Sequence, residues 1–233
     1  MAFICYFSNG VVMDHIKATI TAWREAFSGQ NFRNQFAISV LVLTAVMSVN
    51  SYFLKVWQTR PGIQINDLFL QHLPPIDFSW QIFFLEYGCL LLTFLYVLRY
   101  PQKLVTGIQM FTLVFAARTL SIYLLPLEPP RNMILLHDPI ANFFFQTDTV
   151  YVTKDLFFSG HIAAMALFCL LIDNKNLRMF MVLASIVVAV MILWQHVHYT
   201  MDVLFAPLAS YAAYRFVLWW HLQTRYGLAL KSV

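Results

Sequence analysis

Between residues 34 and 54 the chain carries no charged side chain, and Arg33 and Lys55 close the run on either side. A helix needs about 20 such residues to cross the hydrocarbon core of a bilayer. The pattern recurs along the chain. Residues 80–98 are interrupted only by Glu86, 104–127 only by Arg118, and 203–220 only by Arg215. Residues 156–172 contain His161 and no other ionisable group except Cys169, and 179–195 contain none. Only 11% of the residues are charged and 60% are hydrophobic, against about 25% and about 45–50% in a soluble domain. A disordered chain needs the opposite balance. The expected fold class is therefore all-α: a polytopic membrane protein with a six-helix transmembrane bundle over 34–221. Six spans leave no room for a second soluble domain.

Residues 1–33 lack the basic start, apolar run and small-residue cleavage site of a secretory signal. Val12, Ile16, Ile20, Trp23 and Phe27 recur at spacings of three and four. This predicts an amphipathic leader, lying in the membrane interface or packed on the bundle. Residues 222–233 are expected to be a cytosolic tail. Six spans put both termini on one side. That side collects nine Lys and Arg and the other side four, so the positive-inside bias predicts cytosolic termini. The remaining face would be lumenal, exoplasmic or periplasmic. The three cysteines, Cys5, Cys89 and Cys169, have no motif spacing and read as small core residues.

Ionisable groups inside spans are costly and therefore functional candidates. Glu86 lies about 9 Å and Arg118 about 12 Å from the non-cytosolic ends of their helices, at 1.5 Å per residue. His161 opens the fourth span, and His198 and Asp202 stand at the start of the sixth. All five fall in the outer half of the membrane, whereas Arg215 can snorkel to the cytosolic interface. One shared depth predicts one polar site.

His198 and Asp202 are spaced i, i+4, which puts them on one face if the helix already includes His198. A carboxylate on one imidazole nitrogen fixes the tautomer and favours the charged ring. His196, two residues earlier, projects elsewhere and is read as interfacial. Ser159 is a plausible N-cap, and Gly160 would let a ligand approach the backbone at a helix N-terminus, which attracts anions. Arg118 adds a planar fork suited to phosphate oxygens. Two histidines suit phosphoryl transfer, one attacking phosphorus and the other protonating the leaving oxygen.

At these residues the sequence resembles the sphingomyelin synthase family, a branch of the type 2 phosphatidic acid phosphatase superfamily. His198-Tyr199-Thr200-Met201-Asp202-Val203 is similar to the family's H-Y-T-x-D-V. Asp155-Leu156-Phe157-Phe158-Ser159-Gly160-His161 is similar to its C-G-D-x-x-F-S-G-H-T, with Thr153-Lys154 in place of Cys-Gly and Ile162 in place of Thr. Arg118-Thr119-Leu120 with Leu125-Pro126-Leu127, and Leu73-Pro74-Pro75-Ile76-Asp77, match two further segments more loosely. The resemblance implies a His-His-Asp triad on the lumenal or exoplasmic side. His198 would be the nucleophile, Asp202 its orienting carboxylate, and His161 the acid and then the base. Arg118, Ser159 and Tyr199 would hold the phosphate, with Gly160, Asp155 and Glu86 also assigned to substrate binding. No metal or organic cofactor is implied.

The expected function is transfer of a phosphocholine- or phosphoethanolamine-type head group from a glycerophospholipid to ceramide or diacylglycerol. The same triad could serve a lipid phosphate phosphatase or a phospholipase C-like hydrolase. A zinc hydrolase using His161, His198 and Asp202, and a non-enzymatic bundle with a structural polar cluster, are weaker alternatives. The expected partners are membrane lipids, not nucleic acid, with a homo-oligomer left open.

Overall fold

A computed structural model describes residues 9–138 and 152–223. The described elements are α1 (Asn9–Ser28), α2 (Gln30–Gln58), α3 (Ser79–Val97), α4 (Pro101–Leu124), α5 (Gly160–Leu171), α6 (Lys175–Trp194) and α7 (Thr200–Gln223), with one 3-10 turn at Leu70–His72. Among the described residues there is no strand, only an isolated parallel bridge between Ile63 and Leu127. Cys5, Asp148, Arg225 and Lys231 lie outside the described residues, as does most of the expected tail.

Among the described residues four helices are long and apolar enough to cross a membrane: α2, α3, α4 and α6. They correspond to the first, second, third and fifth expected spans. The fourth falls on α5, an apolar helix of only 12 residues. The sixth falls on α7, which carries Asp202, Arg215, His221 and an internal Pro207. Both depart from an ordinary span because they carry the site: α5 begins just before His161, and α7 begins between His198 and Asp202.

The packing is that of a bundle with apolar outer faces. Along α6, Met181, Ala184, Val188, Met191 and Ile192 are buried. Met179, Phe180, Leu183, Ile186, Val187 and Val190 face outward. The short α5 is enclosed by α3, α4, α6 and α7. On α7 the buried stripe is Asp202, Val203, Ala206, Ser210, Ala213, Val217 and His221. Its spacing of three and four makes one face, and its small residues admit close approach. Ser210 donates to the Ala163 carbonyl at 3.0 Å, tying α7 to α5.

Helix ends follow from local chemistry. Ser159 caps α5, its hydroxyl accepting from the Ile162 N–H. Asn174 caps α6, its side-chain oxygen accepting from Leu177 N–H at 3.0 Å. Pro101 opens α4, where its missing N–H costs nothing. On α1, Trp23 packs on Phe27, Phe32 and Phe36 and donates to the Leu98 carbonyl at 2.7 Å. Met13, Ile16 and Ile20 remain exposed on the same helix.

At one end of the bundle the connecting segments knit into a cap. Ile63 donates to Pro126 O, and Glu128 N–H donates to Ile63 O. Glu128 also pairs with Lys154 at 2.7 Å and accepts from Gly62 N–H at 2.8 Å. Gly62 is required there, since a Cβ would stand 2.6 Å from the Leu127 backbone. The Lys154 ammonium and the Gly62 N–H hold the Glu128 carboxyl below its usual range. Gln195, fully buried, accepts from Phe78 N–H and donates to Ser79 Oγ, both at 2.9 Å.

Candidate active site

The cap closes over two histidines, His161 on α5 and His198 in the turn before α7. The His161 and His198 rings lie 6.3 Å apart between centroids, edge to face. Each has a carboxylate on its Nδ1. Glu86 Oε2 of α3 is 2.7 Å from His161 Nδ1. Asp202 Oδ2 is 3.3 Å from His198 Nδ1. Neither Nε2 has a hydrogen-bond partner among the described residues. The arrangement therefore orients both rings through Nδ1 and leaves both Nε2 atoms for chemistry.

The His198 pairing does not require a shared helix. Helix α7 starts at Thr200, so His198 stands in the turn before it. Asp202 reaches back and accepts from Tyr199 N–H at 3.0 Å through the same Oδ2. This is the return half of a capping box, in which a first-turn acid satisfies a backbone donor ahead of the helix. One carboxylate thus caps the helix and holds the imidazole. Asp67 fixes the same turn from outside, accepting from Thr200 N–H at 2.7 Å and from its hydroxyl at 3.0 Å. Ser159 N–H donates to the Asp202 carbonyl at 3.2 Å, joining the two histidine segments.

His198 and Asp202 are buried; His161 is partly open, with 26% of its side chain exposed. Burial pushes the His198 imidazole below its usual range, and the bond from Asp202 does not fully offset this. This favours the neutral ring, the state in which Nε2 has a lone pair to give.

Arg118 and Gly160 form a unit beneath this site. The guanidinium donates to Phe158 O at 2.7 Å, to Asp155 Oδ2 at 2.9 Å and to Asp155 O at 3.0 Å. Three of its five N–H donors are so used. A Cβ on Gly160 would sit 2.9 Å from Arg118 Cζ. The close approach that the glycine permits is therefore that of Arg118, an arginine wedged under the start of α5. Asp155 is Arg118's ion partner, at 2.8 Å.

Tyr199 points away from the histidines. Its hydroxyl donates to Glu128 O at 2.9 Å and accepts from Ile65 N–H at 3.2 Å. These bonds make it a rivet for the cap. His196 is not interfacial as expected but 3% exposed. It takes a left-handed φ of 58°, and its Nδ1 and Nε2 lie 2.9 and 3.1 Å from the Arg131 and Leu73 carbonyls. The left-handed turn swings its ring into the cap, where two free carbonyls replace solvent. No three His, Cys, Asp or Glu side chains converge as a metal site among the described residues.

Residues 154–222 match the family model described as the PAP2 superfamily C-terminal. That segment holds Asp155, Ser159, Gly160, His161, His198, Tyr199 and Asp202. Arg118 and Glu86 come from helices ahead of it. The match supports the type 2 phosphatidic acid phosphatase superfamily, and with it phosphatase or phosphotransferase chemistry on phosphate esters. It does not reach to the sphingomyelin synthase branch. No curated protein matches the chain.

Asp67 and Gln195 were not among the residues singled out from sequence. Asp67 reads in sequence only as the cap of the short turn at Phe69 and Leu70, and its bonds to Thr200, like those of Gln195 to Phe78 and Ser79, join segments far apart in the chain.

Proposed function

We propose that the chain is a membrane lipid phosphotransferase of the sphingomyelin synthase type. It moves a phosphocholine- or phosphoethanolamine-type head group from a glycerophospholipid to ceramide or diacylglycerol. The observation that carries the reading is the pair of carboxylate-bound imidazoles, Glu86–His161 and Asp202–His198, with both Nε2 atoms unengaged.

In the first half-reaction His198 Nε2 forms a bond to phosphorus, and the bond from phosphorus to the glycerol oxygen breaks. His161, protonated, gives its proton to that oxygen and diacylglycerol leaves. Asp202 stabilises the charge that His198 acquires. In the second half His161 takes the proton of the acceptor hydroxyl, whose oxygen displaces His198 from phosphorus. Glu86 keeps His161 in the tautomer and charge state that both halves use. Arg118 brings positive charge and the start of α5 at Gly160, capped by Ser159, brings its helix dipole to the phosphate side, and no cofactor takes part.

The positive-inside bias supports cytosolic termini and a lumenal or exoplasmic site. The exposed apolar residues of α1 support its lying in the membrane interface. Six spans, with α5 and α7 completing the bundle, are part of the same reading.

A hydrolase is the second reading. The PAP2 match supports it, and the open edge of His161 would admit water. The test is purified protein given a glycerophospholipid labelled in the head-group phosphate, with ceramide, with diacylglycerol, or with neither. Label appearing in a new lipid only when an acceptor is present supports transfer. Label released into water at the same rate in all three mixtures rejects it.

A further inference from the structure

A cavity of about 670 Å³ lies in the cap on the outer side of the His198–Asp202 turn. Its volume is within the range of small-molecule sites, about 300–1,000 Å³. His161, His198 and Asp202 do not line it. Tyr199 and Asp67 do, so the turn that carries the catalytic pair forms one wall. The His196 ring stands between the Arg131 and Leu73 carbonyls, 2.9 and 3.1 Å from its two nitrogens, and so bridges two other walls.

The lining is unusual in a chain this poor in polar residues. Gln64, Asn66, Gln71 and Asn132 bring four amides, and Arg131 and Asp67 bring one charge of each sign. Asp67 spends both carboxylate oxygens on the protein itself, so Arg131 is the one charged group of the lining free to meet a ligand, and four amides stand beside it. Asp67 is turned into the protein. Burial opposes its ionisation, but the N–H groups of Thr200, Leu70 and Phe69 and the Thr200 hydroxyl hold its carboxyl below the usual range. The Arg131 guanidinium has no hydrogen bond or ion pair among the described residues. A quaternary ammonium would want aromatic faces around it, and the only aromatic side chain of the lining besides His196 is Tyr199, itself 1% exposed. Amides offer donors and acceptors side by side, as vicinal hydroxyls do. Ile65, Leu70 and Leu73 supply apolar floor for the C–H face of such a ligand.

We infer that this cavity is a second binding site, for an uncharged polyhydroxylated group: a polyol or sugar, free or as the head group of a lipid. It is distinct from the catalytic centre and does not depend on the reaction assigned there.

The test uses the full chain in detergent micelles and saturation-transfer NMR with free myo-inositol, glucose, choline and inorganic phosphate as separate probes. Myo-inositol or glucose should receive transfer, and choline and phosphate should not. Arg131→Ala with Gln64→Ala should weaken polyol binding about tenfold, the loss of one or two hydrogen bonds, at unchanged melting temperature. His198→Ala should retain polyol binding while losing turnover, which separates this site from the catalytic reading. Nanodiscs carrying a glycolipid or an inositol lipid should abolish transfer to the free polyol if the natural source is a head group. Undiminished transfer in those nanodiscs assigns a free polyol. Transfer to phosphate or choline alone, or polyol binding untouched by the double variant, overturns the inference.

Discussion

Glu86 of α3 and His161 of α5 meet at 2.7 Å, carboxylate to Nδ1, although 75 residues separate them. The pair mirrors Asp202 and His198 across the site. A carboxylate beside an imidazole fixes its tautomer and supports its charge. Glu86→Gln keeps the shape and removes the charge. Its kcat should fall about 10- to 100-fold, less than the roughly 100- to 10,000-fold of a general acid or base itself because Glu86 acts through His161, with KM nearly unchanged. A rise in KM at constant kcat would instead assign Glu86 to substrate binding.

The His198 ring is held below its usual range by burial. The nucleophile must be neutral, so a lowered pKa extends activity to lower pH. The acid limb of kcat/KM should lie below the ordinary histidine value of about 6.5. Asp202→Asn removes the group that favours the charged ring, so in that variant the acid limb moves lower still while the maximum falls. An acid limb above about 6.5 in the wild-type profile would contradict this account of His198.

Gly160 has the Arg118 guanidinium where a side chain would go, with Cζ 2.9 Å from an ideal Cβ. Gly160→Ala must displace an arginine that holds residues 155–158 by three bonds. Overpacking of this kind costs about 1–3 kcal/mol, read as a lower melting temperature of the purified protein. An unchanged melting temperature would show that the arginine moves freely.

Tyr199→Phe removes both bonds that the hydroxyl makes to Glu128 and Ile65. The loss should be about 1–2 kcal/mol of stability, with kcat changed less than threefold, an order-of-magnitude bound for a group outside the reacting atoms. A large fall in kcat at unchanged stability would return Tyr199 to the phosphate.

The reach of the sequence differs from residue to residue. His161, His198, Asp202, Glu86 and Arg118 stand out because a charged or imidazole side chain in an apolar run has no ordinary reason to be there. Spacing alone suggested that they lie together. Whom each one touches was not. Glu86 meets His161, Asp67 meets Thr200 and Tyr199 meets Glu128 through contacts between distant segments, which local patterns do not encode. Gly160 looked like room for a ligand, because a sequence cannot show that Arg118 already fills the space. Helix content followed the apolar runs closely. The short α5 and the polar α7 departed from standard spans where the site displaces apolar residues.

The central claim is that His198 attacks phosphorus. The most direct measurement is brief incubation of the protein with a glycerophospholipid carrying labelled head-group phosphate, an alkaline quench, and peptide mapping. The account predicts acid-labile label on the peptide containing His198, absent in His198→Ala and discharged by an acceptor alcohol. Full turnover by His198→Ala, or turnover in the wild type with no label on that peptide under single-turnover conditions, would contradict it.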